Sequence, residues 1–341
     1  MKRAVTLAPR SIEIRDVPEP VAEAGQAIIE VDAVGLCAGD LSLYTGEHPY
    51  ATYPTTQGHE FSGRILAFGE GYDGSLSVGD RVSVEPLLPC FSCLPCRRGR
   101  TNCCTRLQVI GGHVPGGLAE RIALPTRTLH SAAGLDAELA ALVEPISIGL
   151  HGVRRSGLRR DDQVVVFGAG PIGQAVLLAA RDSGARVLAV DRLSARLVLA
   201  LRLGAELTVD VSAEDAAPVI AEWTRGEGPV VVIEATGVPA VVRQAIDIVA
   251  SSGTVVVIGL SAKEVEVPMI EFTRKEISVL GSRNSAGIFG EAVDLVRRNA
   301  DTVRHLVTDR FPFERVGEAI EFTLANQAHA EKVIVHMRAL E

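Results

Sequence analysis

From Asp161 onward the chain alternates short apolar runs with amphipathic stretches, and this alternation limits the fold more than any other feature. Strands are expected at Val164–Phe167, Arg186–Val190, Leu207–Val209, Val230–Glu234, Thr254–Ile258 and Ile277–Gly281, with helices such as Ile172–Ser183 and Ala195–Leu203 between them. Val-rich runs without polar alternation are buried on both faces, which places them in a parallel sheet covered by helices on both sides. Six such strands fit a doubly wound dinucleotide fold. Residues 1 to about 145 follow a different rule: runs such as Gln26–Val34, Phe61–Phe68 and Arg81–Val84 are cut by Gly, Pro and Asp, the pattern of an irregular all-β domain. After about Gly287 the period changes again, with helices expected near Phe289–Arg298 and Val316–Ala325 and a last strand at Lys332–His336.

A chain of 341 residues favours two domains over one and can bury a large core. Its net charge of -8, from 34 Lys+Arg against 42 Asp+Glu, argues against a nucleic-acid or anionic-membrane surface and favours a small-molecule partner. There is no run of eighteen or more apolar residues to span a bilayer and no leading charged-then-apolar segment, so a cytoplasmic location is expected.

Cys90, Cys93, Cys96 and Cys104 fall in one short stretch rich in Pro, Gly and Arg. Four thiolates at this spacing suit tetrahedral Zn2+, and with four protein ligands no position stays open, so the metal is expected to be structural. The stretch lacks large apolar side chains, and a metal clip supplying about 10–16 kcal/mol of apparent binding energy can hold it instead. Cys103, beside Cys104, could in principle replace it as a ligand and is otherwise expected to be a spare or packed thiol.

Gly168-Ala169-Gly170-Pro171-Ile172-Gly173 follows an expected strand and opens an expected helix. In such a loop the first glycine makes the turn, the second lets backbone approach a pyrophosphate, and the third permits close packing. Pro171 suits a first helical turn, where a missing N–H is harmless. Asp191, at the end of the next strand, would accept hydrogen bonds from ribose hydroxyls and repel a 2′-phosphate, favouring NAD over NADP; Arg192 beside it works the other way. A further group of metal-ligating types is scattered: Cys37 after a strand, His59 and Glu60 together, and Glu144. Spacing alone does not join these four.

Taken in order, Cys37-x-x-Asp40, Gly58-His59-Glu60, Val78-Gly79-Asp80-Arg81-Val82, the four-cysteine clip, Gly116-Gly117-Leu118-Ala119-Glu120, Glu144-Pro145 and the glycine fingerprint closely resemble the zinc-dependent medium-chain alcohol dehydrogenases, especially the polyol (sorbitol-like) branch. The resemblance covers essentially the whole chain. It implies a GroES-like, β-rich catalytic domain from residues 1–146 and 287–341, with a Rossmann cofactor domain, 147–286, inserted between them. It implies two zinc ions per chain and NAD as cofactor. The catalytic zinc would be held by Cys37, His59 and Glu60, with Glu144 binding the metal or its water, and Asp40 would orient the site. Zinc makes loss of the hydroxyl proton accessible near neutral pH, and nicotinamide takes the hydride.

Where many members carry a hydroxyl and a histidine that relay the proton outward, this chain has Gly39 and Ser42. The proton is therefore expected to leave through Glu144, with Ser42, Tyr44 or His48 as secondary carriers. The resemblance further implies that Thr236, Gly259, Leu260, Ser282 and Arg283, at the carboxyl ends of strands, line the nicotinamide and its ribose. Tyr44, His48, Glu144, Arg283 and Asn284 are expected to face a polyhydroxylated substrate. Butanediol, threonine or a phosphorylated polyol are alternative substrates, and a metal-free quinone-reductase-like or nucleotide-binding relative is the alternative of another class. Assembly as a homodimer or homotetramer is expected by analogy.

Overall fold

The computed structural model describes residues 1–48 and 51–338. The chain forms two compact units, Met1–Glu144 with Phe289–Glu341, and Pro145–Ile288. In the second unit six parallel strands lie in the order Leu207–Asp210, Arg186–Asp191, Gln163–Phe167, Val231–Glu234, Thr254–Val257, Ser278–Gly281. This is the doubly wound order, and the sequence places its strands to within one residue at every end. Val165, Leu188, Val232 and Val255 are fully buried because helices cover the sheet on both faces. The direction of winding reverses between Gln163–Phe167 and Val231–Glu234, where ligands bind in sheets of this type.

The first unit is built on a sheet in the order Val307–Pro312, Lys332–His336, Gln26–Gly35, Glu60–Phe68, Arg81–Val84, Leu129–Ser131, with Arg121–Pro125 also paired to Gln26–Gly35. Alternation along Gln26–Gly35 puts Ala27, Ile29 and Val31 into the core with Phe61, Ile65, Phe313 and Ile320, and after a register shift Val34 joins them. Register then fixes chemistry: Gly35 pairs with Glu60 on one side and with Ile334 on the other. The end of one strand therefore meets the start of the next, and Lys332 at the start of the third lies just beyond it, past the Leu36 N–H bond to the Val333 carbonyl. The first half is less purely β than the sequence suggests, since Ala38–Thr45, Ala137–Ala141 and Val143–Ser156 are helices. The first two are short, and in the third Pro145, Gly149 and Gly152 interrupt the helical period of Val143, Ile146, Leu150 and Val153. Asp136 nonetheless caps Ala137–Ala141 by accepting the Leu139 N–H.

Candidate functional site

Cys37 is the N-cap of helix Ala38–Thr45, and Asp40 is the third residue of that helix. The Asp40 carboxylate is fully buried and accepts the Cys37 N–H at 3.0 Å and the Gly58 N–H at 3.1 Å, and it lies 3.6 Å from His59 Nδ1. One side chain thus braces the two segments that carry Cys37 and His59. Gln57 secures Asp40 in turn: its amide donates to the Asp40 carbonyl at 2.5 Å and accepts the Thr6 hydroxyl at 2.7 Å. Burial opposes ionisation of Asp40, but His59 and the two N–H donors outweigh it and hold the carboxyl below its ordinary range. Burial likewise disfavours a charged His59, yet Asp40 and the Cys37 sulfur raise that ring well above its usual pKa.

The donor atoms of Cys37, His59 and Glu60 lie within 4.8 Å of one another. Sulfur, nitrogen and oxygen donors around a tetrahedral zinc are about 3.3–3.8 Å apart, so this set fits one cation after side-chain adjustment alone and leaves a coordination position open. Glu60 reaches the set because Gly35 faces it: a Cβ on Gly35 would stand 2.6 Å from Glu60 Oε2. Both Glu60 oxygens accept from Lys332 Nζ at 2.5 Å, and both partners are buried. Burial disfavours a charged lysine, but Glu60, then Cys37 and Glu144, raise Lys332 above its ordinary pKa. Sequence reasoning missed Lys332; its one trace is a lysine opening an otherwise apolar strand.

Glu144 lies in the first turn of helix Val143–Ser156 and is buried, but it stands outside the three residues whose donor atoms converge. Burial above all, with Glu60 and Asp40 adding to it against the opposing charges of His59 and Lys332, pushes its pKa up to about 7. Ser42 donates its hydroxyl to the Gly39 carbonyl at 3.0 Å. Tyr44 corrects an expectation: it is buried, with its hydroxyl on Glu321 at 2.9 Å and the Arg10 carbonyl at 3.3 Å. It ties two helices together, and its hydroxyl is spent there instead of facing substrate. His48 is half-buried, and burial, then His113, lowers its pKa.

Cys90, Cys93, Cys96 and Cys104 also converge, while Cys103 stays outside the group. Cys93 Sγ is 3.4 Å from Cys96 Sγ and 3.8 Å from Cys104 Sγ. Such separations match the about 3.8 Å edge of four thiolates around tetrahedral zinc and exceed the about 2.05 Å of a disulfide. The Ser92 hydroxyl, backbone donors and Arg106 pull the Cys90 thiol down to about 4, whereas burial and its thiol neighbours push Cys96 up to about 12. These four residues would hold a divalent cation, which would favour the thiolate form of each.

In the second unit Gly168 turns the chain with φ 89°, and a Cβ on Gly173 would collide with the Gly168 carbonyl oxygen at 1.7 Å. Gly170 caps helix Pro171–Asp182 without a side chain, and Pro171 and Ile172 begin it, so the first amides are left for an anion. Asp191 holds the loop, accepting the Ala169 N–H at 2.7 Å and the Leu193 N–H at 2.9 Å, with Arg196 4.0 Å away; Arg192 is exposed. Glu234 belongs to the stretch Glu234-Ala235-Thr236-Gly237, which the resemblance implies lines the nicotinamide and its ribose, and its own carboxylate is turned to its neighbours' backbone. Fully buried, it accepts the N–H groups of Thr236 at 2.5 Å and Gly237 at 2.8 Å and the Thr236 hydroxyl, while its other oxygen sits 2.7 Å from where a Gly259 Cβ would be. It braces two neighbouring loops at the carboxyl edge of the sheet. Leu260 and Arg283 are exposed, Ser282 is buried, and Asn284 adopts φ 46°.

Comparison with known proteins agrees with this geometry. Residues 23–134 match the alcohol dehydrogenase GroES-like domain, and residues 171–298 match the zinc-binding dehydrogenase domain. The chain is 34% identical to L-galactonate-5-dehydrogenase of Escherichia coli, covering 94% of each, and 31% identical to sorbitol dehydrogenase of Bacillus subtilis, covering 98% of this chain and 97% of the relative. It superposes with a TM-score of 0.93, at 30% identity and 99% coverage of both chains, on an Escherichia coli CFT073 alcohol dehydrogenase in complex with NADH. With both domains matched in order and relatives aligned end to end, the chain belongs to the NAD(P)-dependent zinc-type medium-chain alcohol dehydrogenases, in their polyol branch.

Proposed function

We propose that this protein oxidises a secondary hydroxyl of a polyol or sugar alcohol to a ketone with NAD as acceptor, using a zinc held by Cys37, His59 and Glu60, and that the four cysteines hold a second, structural zinc. The convergence of one sulfur, one nitrogen and one oxygen donor within 4.8 Å carries this reading, because a metal-free reductase has no use for it. When bound, zinc would supply Lewis acidity towards a hydroxyl oxygen, and nicotinamide an acceptor for hydride. Asp40 orients Cys37 and His59, and Lys332 offsets the buried charge of Glu60. With Gly39 lacking a side chain and the Ser42 hydroxyl committed to a carbonyl, Glu144 is the buried acid–base group left to take the hydroxyl proton. His48, Arg283 and Asn284 are assigned to contacts with further hydroxyls, and Thr236, Gly259, Leu260 and Ser282 to the cofactor.

Relatives named for sorbitol and L-galactonate support a polyhydroxylated substrate. The Asp191 carboxylate at the end of its strand supports NAD over NADP. For assembly, the sheet ends on the exposed strand Ser278–Gly281, preceded by Met269 and Ile270 at 85% and 58% exposure, which supports pairing of sheet edges in a homodimer or a homotetramer built from it. Among the described residues no helix is long and apolar enough to cross a membrane, and six free cysteines suit the cytoplasm. A panel of tetritols, pentitols, hexitols and their phosphates, assayed with NAD and NADP alongside zinc analysis, tests the proposal. NADH formation with at least one polyol and two zinc ions per chain are expected; a single zinc and no turnover of any polyol would refute it.

A further inference from the structure

Between Pro86 and Ala119 the sequence has no Asp or Glu, yet Arg97, Arg98, Arg100 and Arg106 all fall there, in a chain of net charge -8. Two of these arginines converge on Ser92, between Cys90 and Cys93. Arg97 Nη1 donates to the Ser92 carbonyl oxygen, and Arg106 Nη2 donates to Ser92 Oγ at 2.6 Å. The Ser92 hydroxyl in turn donates to Cys90 Sγ at 3.5 Å. The Arg106 backbone N–H reaches Cys104 Sγ at 3.3 Å, as does that of Cys90, so Arg106 touches both ends of the clip. Cys96 and Cys104 are buried, whereas Cys90 and Cys93 are partly exposed, which makes the Ser92 side the open corner of the site.

A divalent cation with four thiolates is a centre of net charge -2, and it needs positive charge and N–H or O–H donors around it; an acid-free, arginine-rich surrounding supplies both. We propose that Ser92, Arg97 and Arg106 form a clasp over the Cys90 corner that sets how fast metal leaves the four-thiol site. The inference rests on the reading of Cys90, Cys93, Cys96 and Cys104 as a zinc site. A competing chelator must displace one thiolate before it gains a foothold, and the accessible thiolate at Cys90 is the one the clasp covers. Arg97 and Arg106 are positioning residues here and not ligands: Arg97 acts through Ser92, and Arg106 acts through Ser92 and on the Cys90 and Cys104 sulfurs themselves.

The test is zinc release to a colorimetric chelator, followed in the Cys37→Ser background so that the clip reports alone, after total zinc has been counted by mass spectrometry. Ser92→Ala and Arg106→Gln should release zinc about 10- to 100-fold faster, the range seen when support of a metal ligand is lost. Ser92→Thr, which keeps the hydroxyl, should restore the slow rate, and Arg106→Lys, which keeps the charge without the fork, should fall between. Arg98→Gln alters an exposed arginine of the same lobe and should leave the rate unchanged. Release at the parent rate from both Ser92→Ala and Arg106→Gln, or equal acceleration by Arg98→Gln, would overturn the clasp. A clip found to hold no zinc in the parent protein would instead overturn the reading beneath it.

Discussion

The two donor sets of the first unit balance charge in opposite ways. The four-thiol clip is local, drawn from fifteen residues, partly exposed, and surrounded by arginines with no carboxylate nearby in sequence. The Cys37, His59 and Glu60 set is assembled from strand ends and balanced from within by a buried lysine and a buried aspartate. A local site needs only its own loop. The dispersed one exists only while the sheet keeps its register, so its stability and its chemistry share residues.

Replacing Lys332 presses hardest on that difference. Lys332→Met leaves the buried Glu60 carboxylate without its partner, and breaking a buried pair from one side costs about 3–5 kcal/mol. Denaturant unfolding of the metal-free variant should show that loss, and added zinc should restore part of it by giving Glu60 a cation again. Zinc bound to the clip should be unchanged, since none of its contacts involves Lys332. Equal loss of zinc from both sets would show that they are not independent.

Glu144→Gln separates chemistry from charge balance. If Glu144 accepts the hydroxyl proton, turnover should fall about 100-fold, equivalent to about 2.7 kcal/mol of barrier, with little change in stability. A nearly unchanged rate in steady-state assays would return the proton to another route.

The contrast also decides what could be read from the chain. The clip and the glycine fingerprint are short motifs whose geometry is set within one loop, so spacing reveals them. Cys37 and Glu60 meet only because Gly35 pairs with Glu60, a register that no local pattern encodes. Lys332 is further still from them in sequence, and a lysine at a strand start ordinarily signals solvent. Tyr44 fails for the converse reason: its neighbours in sequence belong to the site, but its helical position turns the hydroxyl to Glu321. Parallel strands were legible nearly to the residue because burial on both faces removes any other reading. The helices Ala38–Thr45 and Val143–Ser156 were not: the first spans only eight residues, and in the second Pro145, Gly149 and Gly152 read as breaks although Val143, Ile146, Leu150 and Val153 form a buried stripe.

The strand Lys332–His336 carries a second charged partnership at its far end. His336 Nε2 lies 2.8 Å from Glu138 Oε1, and Arg310 donates to both Glu138 oxygens at 2.7 and 2.9 Å. His336 and Arg310 outweigh partial burial and draw the Glu138 carboxyl down to about 2, from an ordinary 4.5. A depressed carboxyl stabilises the fold fully above its unfolded pKa and loses that contribution as pH falls through the folded one. Glu138→Gln should therefore lower stability at neutral pH by about 1–2 kcal/mol, with the gap to the parent closing between pH 4.5 and about 2. Urea midpoints measured across that range would show it, and a gap that stays constant would place the effect in packing instead of charge.

Gly39 offers the finest probe of the dispersed set. A Cβ there would meet His59 Cε1 at 3.6 Å, an ordinary van der Waals distance, so the site tolerates the side chain it lacks. Gly39 lies in the first turn of helix Ala38–Thr45, where exchanging glycine for serine lowers the entropy lost on folding. Gly39→Ser should stabilise the protein by about 0.5 kcal/mol. Its effect on turnover separates two accounts of proton release. If Glu144 already carries the proton, a hydroxyl at position 39 adds nothing, and kcat should stay within about threefold of the parent. In Glu144→Gln, however, the same hydroxyl supplies an alternative path, so Gly39→Ser should recover part of the lost rate. Recovery in the double variant without gain in the single one would show that the chain dispensed with the hydroxyl because a buried carboxyl had taken its place.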